Sequence, residues 1–232
     1  MNRTEELTAN WHSVQSSVAS ACDSAGRDPN DITIVAVTKT WPATDVDILA
    51  TIGVTDVGEN RDQEASGKKL QVTSENLRWH AIGQIQTNKV KSIVRWADVA
   101  HSIDRVELVT AFAKHLEQLD TTMDVFVQVN LDEQPAEGRG GALPTDTMTL
   151  IESVLQTPQL QLLGVMGVAP LGGDVAKAFA RLQEFSAKVI SHAPEANKIS
   201  AGMSDDYKIA LKFGATHLRL GSLILGHRTY SG

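Results

Sequence analysis

The chain has 232 residues, 42% of them hydrophobic, with 21 Lys and Arg against 28 Asp and Glu for a formal net charge of −7. That length supports one large domain burying roughly three quarters of its unfolded surface without help from disulfides or metals, and the acidic balance disfavours a grip on nucleic acid or anionic lipid. One cysteine, Cys22, excludes a disulfide framework within the chain and a cysteine-rich zinc site.

The opening residues, Met1 to Glu6, are too polar for a secretory signal, and the uncharged stretch 153–173 is interrupted by Gln, Pro and Gly, which argues against a membrane span. The expectation is a cytoplasmic protein. Residues 4–25 place Leu7, Trp11, Val14 and Val18 on one face of a helix, with Gly26 as its stop. Next, Ile32 to Val37 is β-branched and apolar, as in a strand buried on both faces, and it ends at Thr38-Lys39. The same unit then recurs, predicting strands at 32–39, 55–59, 78–83, 98–102, 124–130, 161–168, 198–203 and 217–222. Between them lie helical patterns. One runs from Asp104 to Leu119, where Asp104 and Glu107 resemble a capping box and Val106, Val109, Phe112 and Leu116 share a face. Another follows Asp174, carrying Val175, Phe179, Leu182, Phe185 and Val189. Asp132 to Gly141 reads as a surface loop. Eight strand–helix units with no linker predict a single-domain (β/α)8 TIM barrel over residues 1–232 with an additional N-terminal helix; an open parallel sheet is the alternative.

A parallel barrel delivers its chemistry where strands end, here at Lys39, Gly58-Glu59-Asn60, His80, Asn130, Met166, Ser200 and Arg219. Lys39, after six mostly apolar residues, is expected to be partly desolvated, which favours a neutral nucleophilic amine able to form a Schiff base; the plain alternative is a lysine snorkelling to solvent. Gly221-Ser222 after the last strand suits a phosphate, and Ser200 could add a hydroxyl; the alternative is an ordinary turn. Ser204 is read as a helix cap and His80 as a packed histidine or a pocket residue. An amine for an aldehyde beside a phosphate nest describes pyridoxal 5′-phosphate. No His, Asp and Glu spacing reads as a metal site.

The strings Val35-Ala36-Val37-Thr38-Lys39, Gly58-Glu59-Asn60-Arg61-Asp62-Gln63-Glu64, Trp79-His80-Ala81-Ile82-Gly83-Gln84-Ile85-Gln86-Thr87-Asn88-Lys89, Ser102-Ile103-Asp104, Gly164-Val165-Met166-Gly167, Ser200-Ala201-Gly202-Met203-Ser204-Asp205-Asp206-Tyr207 and Arg219-Leu220-Gly221-Ser222 resemble, in order, the YggS/PROSC family of pyridoxal phosphate homeostasis proteins. The resemblance covers residues 32–230. It implies an alanine-racemase-type barrel with the cofactor as an internal aldimine on Lys39, its phosphate on Ser200, Gly221 and Ser222, Arg219 at the pyridine nitrogen, and Asn60, His80 and Met166 along the ring or its rim. Ala201 stands where that family usually has methionine, and Ala169 to Gly173 is a variant loop.

The implied function is storage and delivery of the vitamin B6 cofactor with little or no turnover, in a monomer whose partners are pyridoxal phosphate, apo-enzymes that use it, or amino acids. A racemase is the alternative, and a class I aldolase a third reading. An arginine at the ring nitrogen weakens the electron sink that racemisation needs. The chain also ends at residue 232 without an evident second domain, and neither Tyr207 nor Tyr230 is placed as a second base.

Overall fold

The computed structural model describes residues 2–132 and 139–226. Its eight strands, β1 (Thr33–Val37), β2 (Asp56–Glu59), β3 (Arg78–Ala81), β4 (Val99–Ile103), β5 (Met123–Gln128), β6 (Leu160–Met166), β7 (Lys198–Ser200) and β8 (His217–Leu220), pair in parallel and in chain order. β8 returns to β1 and closes the barrel, with Val35 opposite Arg219 and Ala36 opposite Leu220. All eight fall on the predicted strand regions; β4 runs one residue past its predicted end, to Ile103, and β5 and β6 each begin one residue early, at Met123 and Leu160. They are mostly shorter at the C-terminal ends, where the residues turn outward to build the rim.

Helices α1 (Arg3–Ser24), α2 (Ala43–Thr51), α3 (Asp62–Lys69), α4 (Val90–Ile93), α5 (Val106–Glu117), α6 (Thr147–Leu155), α7 (Val175–His192), α8 (Tyr207–Lys212) and α9 (Ser222–Leu225) alternate with the strands. In α1 a capping box joins Asn2 and Glu5, and the buried residues Leu7, Trp11, Val14, Val18 and Cys22 recur at three- and four-residue steps. That stripe packs on α2, α8 and α9. Asn10 donates to the Ile224 carbonyl at 2.9 Å and Arg3 reaches Asp45 at 2.6 Å, so α1 ties the last unit to the first across the closing seam. Gly26, at φ +65, follows the helix as the expected stop.

Three local expectations are corrected. The helix predicted from Asp104 begins at Val106, with no side-chain cap; the Asp104 carboxylate accepts from Arg105 at 2.6 Å instead. Val106 is exposed, and the buried face is Leu108, Val109, Phe112 and Leu116. Ser204 does not cap α8, which starts at Tyr207 after Asp206. In the predicted loop 132–141, residues 133–138 lie outside the described residues, as does Tyr230.

The barrel interior departs from the branched aliphatic filling usual in such barrels. A small apolar cluster of Val99, Phe126 and Met166 sits apart from the main core. Beside Phe126 stand His101, with ring centres 4.6 Å apart, and His217, at 5.1 Å. No helix among the described residues is long and apolar enough to cross a membrane.

Candidate functional site

Lys39 lies just beyond β1. The strand stops at Val37, Thr38 is fully buried, and Thr40 takes a left-handed backbone (φ 68), which lifts Lys39 out into solvent. The residue is exposed rather than partly desolvated as expected. Its backbone is nonetheless held on both sides. Lys68 Nζ, a buried ammonium on α3, donates to the Thr38 carbonyl at 2.8 Å, and Glu64 accepts from the Thr40 N–H. Lys68 also pairs with Glu59 at 2.6 Å and Glu64 at 3.0 Å, while Thr38 Oγ1 donates to the same Glu59 oxygen at 2.6 Å. Burial pushes the Glu59 carboxyl up despite these donors, and its second oxygen has no partner.

Arg219 projects from β8 into the C-terminal half of the barrel and is buried. Nη1 donates to Ser200 Oγ at 2.6 Å and Nη2 to the Gly167 carbonyl at 3.1 Å, anchors that end β7 and follow β6. Burial brings the guanidinium down to about 10, and no salt bridge among the described residues includes it.

Gly221 and Ser222 open α9 next to the end of β1. A Cβ on Gly221 would lie 3.4 Å from the Val37 backbone and side chain, so the α9 entrance is two residues from Lys39. Ser222 Oγ donates to Ser204 Oγ at 3.0 Å. Ser204 returns to this point because Gly202 turns the chain at φ +93, where a Cβ would come within 2.9 Å of Ala210 and Tyr207. The first N–H groups of any helix lack intrahelical acceptors, so the hydroxyl pair and the α9 entrance form one donor-rich corner.

Of the sequence-predicted residues, the structure thus brings Lys39, Gly221 and Ser222 to one edge of the rim, with Arg219 and Ser200 beneath. Ser200 bonds Arg219 and His101, while the hydroxyl beside Ser222 is that of Ser204. Asn60 is exposed at the end of β2, and its carbonyl lies so close to Gly83 that a Cβ there would meet it at 2.1 Å. Met166 is buried in the interior cluster, and His80 is fully buried within the barrel. Sequence reasoning gave no functional role to Ser204, Lys68, Asp56 or His101, and it placed Glu59 at a strand end without a specific role. The readable signal for His101 was its place two residues past the inward-facing Val99, on the strand next to the one carrying His80.

The sequence model of the family described as "Alanine racemase, N-terminal domain" matches residues 6–229. The "Pyridoxal phosphate homeostasis protein" of Mycobacterium tuberculosis (strain ATCC 25618 / H37Rv) is 37% identical over 249 residues, covering 98% of this chain and 95% of its own. The structure of PipY from Synechococcus elongatus PCC7942 with PLP bound superposes with a TM-score of 0.82 at 29% identity, covering 95% of this chain and 100% of that one. Alanine racemase from Clostridium difficile 630 shares the fold, with a TM-score of 0.73 at 15% identity over 98% of this chain and 58% of that one.

Proposed function

Because the chain belongs to the alanine racemase N-terminal domain family, and within it to the pyridoxal phosphate homeostasis proteins, we propose that it binds pyridoxal 5′-phosphate on Lys39 and serves vitamin B6 homeostasis in the cytoplasm. It stores the cofactor and hands it to apo-enzymes with little or no turnover. The observation that carries this reading is Arg219, a buried cation with donors to spare and no ion-pair partner among the described residues, placed on the strand next to the one that delivers Lys39. A ring nitrogen that accepts a hydrogen bond fits such a group. The fit extends to the phosphate, because Ser204, Ser222 and the α9 entrance offer donors at the same edge.

When bound, pyridoxal phosphate supplies an aldehyde for an amine and a ring that accepts electrons. The chain's own residues divide the remaining work. Lys39 provides the attaching amine, and the Lys68–Glu64 clamp fixes the peptide on either side of it. Ser204, Gly221 and Ser222 orient the phosphate, while Ser200 holds Arg219 from below. Asn60 lines the rim. His80 and Met166 contribute from the interior rather than at the ring.

The phosphate corner makes a direct test. Titration should show pyridoxal phosphate binding far more tightly than pyridoxal, since hydrogen bonds to a charged group contribute roughly 1.5–3 kcal/mol each. Ser222→Ala and Ser204→Ala should each weaken the phosphate form by about 10-fold or more and leave pyridoxal binding nearly unchanged. Equal affinities for the two compounds would remove the site.

Two groups in the structure disfavour racemisation. Arginine donates to the ring nitrogen without delivering a proton there, which weakens the electron sink. Tyr207 is buried in the outer core, its hydroxyl directed to Ser17 of α1, so it is no base at the rim. The loaded protein incubated with L-alanine in heavy water should therefore exchange its α-proton slowly, because a missing general base typically forfeits about 10²–10⁴ in rate. Turnover on the order of 1 s⁻¹ or faster would restore the racemase reading.

A further inference from the structure

Asp56 opens β2, His80 and His101 are the third residues of β3 and β4, and Ser200 closes β7. Their side chains form a continuous hydrogen-bonded line that ends on Arg219. Asp56 Oδ1 lies 2.8 Å from His80 Nε2, His80 Nδ1 2.8 Å from His101 Nε2, His101 Nδ1 2.8 Å from Ser200 Oγ, and Ser200 Oγ 2.6 Å from Arg219 Nη1. All five residues are buried. The line runs from the N-terminal end of the barrel to its C-terminal half, with a carboxylate at one end and a guanidinium at the other.

The position of every proton follows from the two ends. Burial disfavours a charge on either imidazole, so both rings are neutral, each with one donor and one acceptor. The Asp56 carboxylate is ionised, held low by donors from His80 and Thr55 that outweigh its burial. It accepts from His80 Nε2–H, which leaves His80 Nδ1 to accept from His101 Nε2–H. His101 Nδ1 must then accept from the Ser200 hydroxyl. Ser200 spends its proton there and presents a lone pair to Arg219. In the opposite polarity His101 Nδ1–H would donate to Ser200, and the serine proton would be buried against two donors.

We propose that His101 and His80, with Asp56 behind them, are positioning residues for Arg219, forming a one-way hydrogen-bond chain that locks Ser200 as an acceptor. The role toward the cofactor rests on the function proposed above. The chain gives the buried guanidinium a remote counter-charge through two neutral rings and leaves its remaining N–H groups for the ligand. The charged and titratable surroundings also include Arg78 and Asp124, which pair with each other beside Asp56, Asp98 near His80, His217 across Phe126 with Lys198 near it, and Asp206, whose charge acts on Arg219.

Nitrogen NMR of the cofactor-free protein tests the chain itself. Both histidines should show a protonated Nε2 and a bare Nδ1; a protonated Nδ1 on either ring overturns the assignment whatever the cofactor does. The effect on Arg219 is read from the absorbance of the loaded protein. Ser200→Ala and His101→Phe should each move the cofactor band in the direction that Arg219→Gln moves it and weaken binding roughly 10-fold or more. Neither should add its full effect to Arg219→Gln in a double variant, as expected of residues acting through one group. An unchanged band and affinity in Ser200→Ala, the smaller alteration, overturn the positioning role. If the wild-type protein takes up no pyridoxal phosphate, the proposed function and the positioning role fall together, and the NMR result alone decides the hydrogen-bond chain.

Discussion

Lys39→Ala is expected to abolish covalent uptake of pyridoxal phosphate completely. Borohydride treatment of the wild-type protein, followed by peptide mass analysis, should place the pyridoxyl group on the peptide containing Lys39, and the variant should carry it nowhere. The visible band of the attached cofactor should be missing as well. The variant should remain folded, because Lys39 is exposed and its side chain makes no hydrogen bond or ion pair among the described residues; surface changes of this kind usually stay within about 0.5 kcal/mol. Noncovalent binding through the phosphate corner and Arg219 should survive at reduced affinity, which separates attachment from recognition. A pyridoxyl group found on another lysine of the wild-type protein would end the assignment of Lys39.

The barrel was legible because its signals are local. Apolar runs at Thr33–Val37 and Met123–Gln128 have strand composition, and the stripe from Leu7 to Cys22 has helical period. The helix after Asp174 was legible for the same reason, and the structure adds the cap, the Asp174 carboxylate accepting from Lys177 N, three residues on, at 3.1 Å. Asp104 shows the limit, since the same spacing was present and the carboxylate turned instead to Arg105 and to the N–H of Gly141. The edge of the site could be read from Lys39 and Gly221-Ser222, which stand at the ends of neighbouring strands. What lies beneath it could not. Ser200 and His101 are 99 positions apart, and Ser204 meets Ser222 only because Gly202 turns the backbone back at positive φ. The exposure of Lys39 was hidden for a related reason. An apolar strand suggests a buried exit, but the left-handed residue Thr40 redirects the chain after one buried threonine.

Lys68→Met is expected to be the most destabilising single change near the site. The Lys68 ammonium is nearly inaccessible and donates to Glu59, Glu64 and the Thr38 carbonyl. Removing it leaves the fully buried Glu59 carboxylate with the Thr38 hydroxyl alone, and its second oxygen already lacks a partner. Breaking one side of a buried ion pair costs about 3–5 kcal/mol. In a domain of this size that corresponds to a fall in Tm of roughly 6–20 °C. The loss has a pH signature whose sign is fixed by burial. Because burial raises the Glu59 pKa in the folded state, its contribution to stability is fully present below the unfolded carboxyl pKa and is lost as pH rises through the folded one. The variant should therefore be least stable near neutral pH and recover toward mildly acidic pH as Glu59 takes up a proton. Adding Glu59→Gln removes the charge while keeping the shape, so the double variant should regain much of the lost Tm at neutral pH and lose most of that pH dependence. A double variant no more stable than Lys68→Met would show that the cost lies in packing of the lysine stem rather than in the stranded carboxylate, and the electrostatic account of the clamp beside Lys39 would fail.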